Sequence, residues 1–138
     1  MKYLAIDYGN KRTGLALCDK NETIASPLAV LTTGKDLLQK IADIIRDENI
    51  DAIIVGLPIN MDASEGFQAK RVRRFAEQLQ KQLNMTIHFQ DERLSTFGAQ
   101  EKLEQTDLSK KTKSRRLDAV AAAQILQDFL DGKNKITR

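Results

Sequence analysis

The chain has 138 residues, of which 41% are hydrophobic and 30% charged, and its formal net charge is +3. This length and composition predict one folded domain spanning residues 1–138. Since no apolar stretch approaches the ~20 residues of a membrane span, no membrane partner is expected. An acid follows the N-terminus too early for a secretion signal, which favours a cytoplasmic protein. The one cysteine, Cys18, excludes an internal disulfide and is predicted to be a small core residue.

Three strands are predicted in the first part of the chain. Apolar runs at 2–7 and 14–19 flank a turn between Gly9 and Gly14, which indicates a hairpin. A third strand is expected within Thr23–Leu31, and Pro27 favours a place at the edge of the sheet.

Helices and strands alternate in the middle of the chain. Helical spacing of apolar residues predicts amphipathic helices at 35–48 and about 65–83, with Phe67 on the apolar face of the second. The continuous apolar run at 52–57 predicts a strand covered on both faces, and a fifth strand is expected at 85–89.

The last part of the chain is predicted to be helical, with one interruption. Ser95 or Thr96 would cap a short helix that ends near Glu104. A Lys-rich loop would follow, and then a last helix at about 115–130. Its core-facing residues are predicted to be Leu117, Val120, Ala121, Ile125 and Phe129.

This order of elements predicts an α/β fold with a mixed five-stranded sheet flanked by helices. Strands one to three form an antiparallel meander, and strands four and five are added parallel to strand one through right-handed crossovers. The carboxyl ends of strands one, four and five then share one edge of the sheet. Asp7, the loop Pro58–Ser64 and the pair Asp91-Glu92 should converge there, at the edge where open α/β sheets bind ligands.

Three carboxylates, from Asp7, Glu92 and Asp118, are the candidate catalytic and metal-binding groups. Oxygen ligands of this kind suit the hard cations Mg²⁺ or Mn²⁺, which can activate water and stabilise a leaving oxygen in phosphodiester hydrolysis. Each acid also has a structural interpretation: Asp7 could cap its turn, and Asp118 could complement a helix dipole. Asp91 is the substitute if the side chain of Glu92 points away.

Basic residues cluster in two places, which favours a polyanionic partner although such runs are often only solvated faces. One cluster spans Lys70–Arg74, and the other precedes Asp118. The predicted nucleic-acid contacts are Lys11, Arg12, Arg93, Lys110, Lys111, Lys113, Arg115 and Arg116. The run from Lys110 to Arg116 is expected to overhang the metal site as a loop and grip the substrate backbone.

Four segments together resemble the motifs of the YqgF (RuvX) family, in order and at family-like spacing. They begin at Asp7 (DYGNKRTGLA), Val55 (VGLPINMD), Asp91 (DERLST) and Asp118 (DAVAA). The resemblance implies an RNase H-like fold related to the RuvC resolvases. It also implies a cytoplasmic bacterial nuclease that matures the 5′ end of pre-16S rRNA, with Holliday junction resolution as an earlier proposal. By motif position it gives the catalytic roles to the three acids named above.

One position departs from the family pattern, because Ala63 stands where the family usually has glycine. A positive φ at this position would strain an alanine.

Two rival functions also remain open from the sequence. A non-catalytic RNA-binding module would use the basic clusters without needing three acids, and an actin-like or sugar-kinase-like ATPase would need a second domain to clamp its nucleotide. The sequence leaves the oligomeric state and the choice between RNA and branched DNA open.

Overall fold

The computed structural model describes residues 1–92 and 110–136, with the side chains of the last helix described over 118–133. The described residues form five strands and three helices. The strands are β1 (Tyr3–Tyr8), β2 (Arg12–Cys18), β3 (Ala25–Thr32), β4 (Ala52–Leu57) and β5 (Ile87–Asp91); the helices are α1 (Leu37–Asp47), α2 (Phe67–Leu83) and α3 (Lys110–Ile136).

The sheet has the strand order β3-β2-β1-β4-β5. Strands β1, β2 and β3 pair antiparallel, and β4 pairs parallel with both β1 and β5. This topology confirms the predicted mixed five-stranded sheet, with β3 at one edge. The carboxyl ends of β1, β4 and β5 lie at the same edge of the sheet, as expected.

Alternation along β1 decides which face of the sheet each side chain meets. Leu4 and Ile6 join the core cluster that contains residues of α1 and α2. Tyr3 and Ala5 join the second cluster, which contains residues of α3. Because successive strand residues point to opposite faces, Asp7 follows Ala5 onto the α3 face. The two clusters cover both faces of β4, all of which is buried.

The Lys-rich segment before Asp118 is helical in backbone, so its prediction as a loop was wrong. Helix α3 begins at Lys110 instead of about 115 and continues to Ile136. Lysine and arginine are good helix formers, and the apolar periodicity that marks a buried helix face is not needed for the chain to be helical. The predicted helix near Ser95 lies outside the described residues.

Two apolar residues lie differently from their prediction. Phe67 is 78% exposed at the start of α2, and Val120 is 39% exposed on α3. The buried side chains of α2 begin at Ala69, which leaves Phe67 beyond the rim of the core.

Cys18 is buried as predicted. Within the part of the chain that the structure describes, no helix combines the length and apolar character needed to cross a membrane.

Candidate active site

The carboxyl groups of Asp7 and Glu92 meet on the α3 face of the sheet and share a hydrogen bond. Asp7 lies near the end of β1, and Glu92 directly follows β5. Burial of the carboxyl group is the largest cause of the shift in the pKa of Glu92, and the negative charge of Asp7 is the next. Together they raise the pKa of Glu92 to about 8. A carboxyl group that holds its proton near neutral pH can donate the hydrogen bond to the other acid.

Gly56 makes this meeting possible. Strand β4 separates β1 from β5, so Asp7 and Glu92 lie at the ends of two strands that are about 10 Å apart. A Cβ added at Gly56 would lie 2.5 Å from Oε1 of Glu92 and 2.6 Å from Cδ1 of Ile125. The absence of a side chain therefore leaves the space in which the Glu92 carboxyl crosses β4 towards Asp7.

A second glycine sets the position of α3. Gly14 pairs with Asp7 across β1 and β2, and a Cβ added to it would lie 1.9 Å from the backbone oxygen of Asp118. Only glycine permits the helix backbone to approach the sheet this closely. Gly14 was predicted to end a turn, but it lies inside β2 and brings Asp118 to the same region as Asp7.

The carboxylate of Asp118 is engaged by a cation. Nε of Arg12 donates a hydrogen bond of 2.8 Å to its Oδ2, and both side chains are partly exposed. Arg12 opens β2 beside the turn that follows Asp7. The structure thus brings Asp118 to the edge of the site, but it pairs its carboxylate with Arg12.

The turn that carries Lys11 and Arg12 is held by two threonines. The hydroxyl of Thr33 donates to the carbonyl oxygen of Gly9 at 2.8 Å, and its oxygen lies 2.8 Å from the hydroxyl of the buried Thr13. Since the Thr33 proton is used on Gly9, Thr13 is the donor in the second bond. These bonds fix the turn between β1 and β2, and hence the base of the Arg12 side chain.

The donor set fits a hard cation, although its three acids do not close around one point. Among residues 1–92 and 118–133, no three Asp, Glu, His or Cys side chains form a ready-made metal cluster. Asp7 and Glu92 supply two oxygen donors in direct contact, and Asp118 is the next acid along the edge. Asp91 influences Glu92 through its charge alone, as the smallest of the causes that raise its pKa. The assignment of metal and catalytic roles to these residues stays a prediction.

The predicted nucleic-acid contacts are only partly described. Lys11 is exposed and Arg12 is partly exposed at the site edge. Arg93 lies outside the described residues, as do the side chains of Lys110, Lys111, Lys113, Arg115 and Arg116.

Sequence reasoning missed the spacer role of Gly56. The signal was a glycine inside an otherwise apolar strand, which often marks a close approach of another group.

Two solved structures with a similar arrangement of sheet and helices are Holliday junction resolvases. RuvC of T. thermophilus in complex with a Holliday junction substrate aligns with a TM-score of 0.60 at 12% identity, covering 98% of this chain and 96% of that one. The fowlpox virus Holliday junction resolvase aligns at 0.55 and 14% identity, covering 96% and 99%. At these identities the likeness establishes the fold, which is that of the RuvC-like, RNase H-related class.

Sequence relatives identify the family within that class. A family model described as "RuvX: Holliday junction resolvase" matches residues 1–132. A protein of Anaeromyxobacter sp. (strain Fw109-5) is 43% identical over 136 residues, covering 97% of this chain and 99% of the relative. A protein of Maridesulfovibrio salexigens is 36% identical over 132 residues, covering 94% and 98%. Both relatives carry the name "Putative pre-16S rRNA nuclease".

The chain therefore belongs to the RuvX family, and the resemblance inferred from its motifs is confirmed. Family membership also confirms the predicted enzyme class, a hydrolase that acts on phosphodiester bonds of nucleic acid. The rival interpretations as a non-catalytic RNA-binding module or an ATPase are set aside on this ground.

Proposed function

We propose that the chain acts as one domain and as a divalent-metal-dependent nuclease in 5′-end processing of pre-16S rRNA. The observation that carries this proposal is the Asp7–Glu92 carboxyl pair, held together across Gly56 with the pKa of Glu92 raised to about 8. Two acids held in contact favour a cation between them, because the cation would offset the repulsion between their negative charges. In the structure a shared proton offsets that repulsion. The names of the relatives support the choice of RNA substrate.

The residues present fit Mg²⁺ or Mn²⁺. Asp7 and Glu92 would hold the ion, and Asp118 would join them when Arg12 releases it. When bound, the ion supplies the positive charge that activates water and stabilises the leaving oxygen of a phosphodiester. Arg12 and Lys11, at the adjacent turn, would then face the phosphates of the substrate and orient the scissile bond.

Holliday junction cleavage is the second candidate function, because the matching family model is described as a Holliday junction resolvase. Phosphate contacts and metal ligands do not distinguish ribose from deoxyribose, so the same site could serve either substrate. The substrate has to be decided by cleavage itself.

The test is a cleavage assay on a labelled precursor fragment spanning the 5′ end of 16S rRNA, beside a four-way DNA junction. We expect the wild-type chain to cut the RNA with Mg²⁺ or Mn²⁺ and to stop when EDTA is added. Asp7→Asn should abolish cleavage with the fold intact, while the matched control Asp47→Asn, an exposed acid in the last turn of α1, should cut normally. Cleavage in EDTA, or by Asp7→Asn, would contradict the mechanism. Cleavage of the junction alone would transfer the function to the second candidate.

A further inference from the structure

Two large apolar side chains protrude near the start of α2. Met61 is 85% exposed and Phe67 is 78% exposed, and these are the two highest exposures among large hydrophobic residues in the described part of the chain. A single exposed apolar residue is ordinary. Two within seven positions of the chain, one of them aromatic, expose apolar area at the start of α2 that only a partner would bury.

Cations continue this surface along α2. Lys70, Arg71 and Arg74 follow Phe67 by three, four and seven positions, so all four residues lie on the same side of the helix. Lys70 and Arg74 are exposed and Arg71 is half-buried. The ion pairs within the described residues include none of these three cations. Their charge therefore remains available to a ligand.

Arg73 shows the contrast within the same cluster. Its guanidinium donates a hydrogen bond of 2.7 Å to Glu65 and lies 5.0 Å from the ring centre of Phe89. Arg73 therefore ties α2 to the preceding loop and to β5. The basic cluster Lys70–Arg74 therefore contains one residue that is paired with an acid and three that form no ion pair within the described residues.

The surface begins at the edge of the sheet that carries the candidate active site. The connection from β4 to α2 leaves β4 at its carboxyl end, where Asp7 and Glu92 also lie. The first turn of α2 contains no acidic residue, so the positive end of the helix dipole adds to the charge of the cations. A chain of phosphates that leaves the site over this edge would meet favourable charge.

We propose that the α2 surface, formed by Met61, Phe67, Lys70, Arg71 and Arg74, binds an unpaired segment of the RNA substrate. A base would stack on the Phe67 ring while the three cations contact phosphates, the combination by which proteins hold single strands. The partner is a single strand because a protruding ring needs an unstacked base face, which an intact duplex does not offer. The inference rests on the proposed function and adds to it the form of RNA that lies beside the cut.

Binding is measured by fluorescence anisotropy in EDTA, with a labelled 12-nucleotide single-stranded RNA and a blunt RNA duplex of equal length. Phe67→Ala should weaken single-strand binding about ten-fold and leave duplex binding unchanged, whereas Phe67→Trp should retain it. The exposure of Phe67 makes its removal nearly neutral for folding, and the thermal midpoint of each variant verifies this.

The phosphate contacts are tested by salt dependence. The double variant K70Q/R74Q should reduce the slope of log affinity against log salt by about 1.4, that is, roughly 0.7 for each lost contact on a single strand. The matched control K20Q/K81Q removes the same charge from the β2–β3 turn and from the last turn of α2, about 21 Å from Phe67 along the helix. Its slope should change by less than half as much.

Three results would overturn the proposal: an unchanged affinity of Phe67→Ala for the single strand, an equal loss on duplex and single strand, or an equal slope change in the control. The first of these would leave the α2 surface to a protein partner. Because binding is measured without metal, failure of the proposed nuclease function would appear separately, as absent cleavage with intact binding.

Discussion

Arg12 and Asp118 form an ion pair at the edge of the candidate site, with Nε 2.8 Å from Oδ2, although 106 positions separate them in sequence. In this pair Arg12 binds the carboxylate of Asp118, which would be the third ligand of a cation held by Asp7 and Glu92. In the proposed mechanism Arg12 would therefore compete with the metal ion for Asp118, and release of Asp118 would free the guanidinium for a phosphate.

Replacing Arg12 by alanine should therefore tighten Mn²⁺ binding while weakening RNA binding. The loss of a repelling cation and the release of Asp118 both favour the metal, and we expect a several-fold lower Kd by calorimetric titration. Stability should fall by less than about 1 kcal/mol, because the pair is partly exposed. Arg46→Ala, which removes the ion pairs with Asp43 and Asp47 on α1, is the control and should leave Mn²⁺ binding unchanged. Weaker Mn²⁺ binding by Arg12→Ala would show that Arg12 orders Asp118 for the metal instead of competing with it.

Gly56→Ala tests the space that the Glu92 carboxyl uses. The added methyl group would lie 2.5 Å from Oε1 of Glu92 and 2.6 Å from Cδ1 of Ile125, closer than van der Waals contact allows. Relieving this overlap should cost about 1–3 kcal/mol of stability. It should also separate Glu92 from Asp7 and weaken Mn²⁺ binding. Gly132→Ala is the matched control, since a Cβ there meets nothing within 4 Å and should stabilise α3 by about 0.5–1 kcal/mol. Urea denaturation measures the stability of both variants, and Mn²⁺ titration measures their metal affinity. Normal metal binding by Gly56→Ala would show that Glu92 does not need the space at Gly56 to reach Asp7.

The raised pKa of Glu92 predicts a pH-dependent stability in the absence of metal. Unfolded, this carboxyl titrates near 4.5; folded, it titrates near 8. Between these values the native state binds a proton that the unfolded state lacks, so the contribution of Glu92 to stability is complete below pH 4.5 and is lost as pH rises to 8. Glu92→Gln should remove this decline.

The measurement is urea denaturation of wild type and Glu92→Gln in EDTA at several pH values from 5 to 8.5. The free energy of unfolding of the wild type should fall relative to the variant as pH rises, and the difference should level off above pH 8. Saturating Mg²⁺ should flatten the wild-type curve by binding the ionised carboxyl. A difference between the two proteins that stays constant with pH would show that Glu92 is ionised throughout and that the contact with Asp7 is absent in solution.

Much of the fold could be predicted because it depends on burial periodicity. The continuous apolar runs of β1 and β4 indicated strands, and the helical spacing of apolar residues indicated α1 and α2. The start of α3 could not be inferred in this way, because Lys110 and its neighbours carry no apolar periodicity although lysine favours helix. The topology also brought Asp7 and Glu92 to one edge. The pairing of Asp118 with Arg12 depends on side-chain rotamers and on the approach of α3 to Gly14, which no local pattern encodes.

The last prediction concerns Ala63, the residue that stands where the family usually has glycine. Its φ is +73°, in the left-handed region that costs an alanine about 1–2 kcal/mol, and its amide donates to the carbonyl oxygen of Asn60 to close the turn. Ala63→Gly should remove the strain but increase the entropy of the unfolded chain by about 0.4–1 kcal/mol, which leaves a net stabilisation of about 0.5 kcal/mol. Ala42→Gly, in the interior of α1, should instead destabilise by about 1 kcal/mol. Urea denaturation of the two variants should therefore give changes of opposite sign; a loss of stability in both would mean that residue 63 adopts a negative φ in solution.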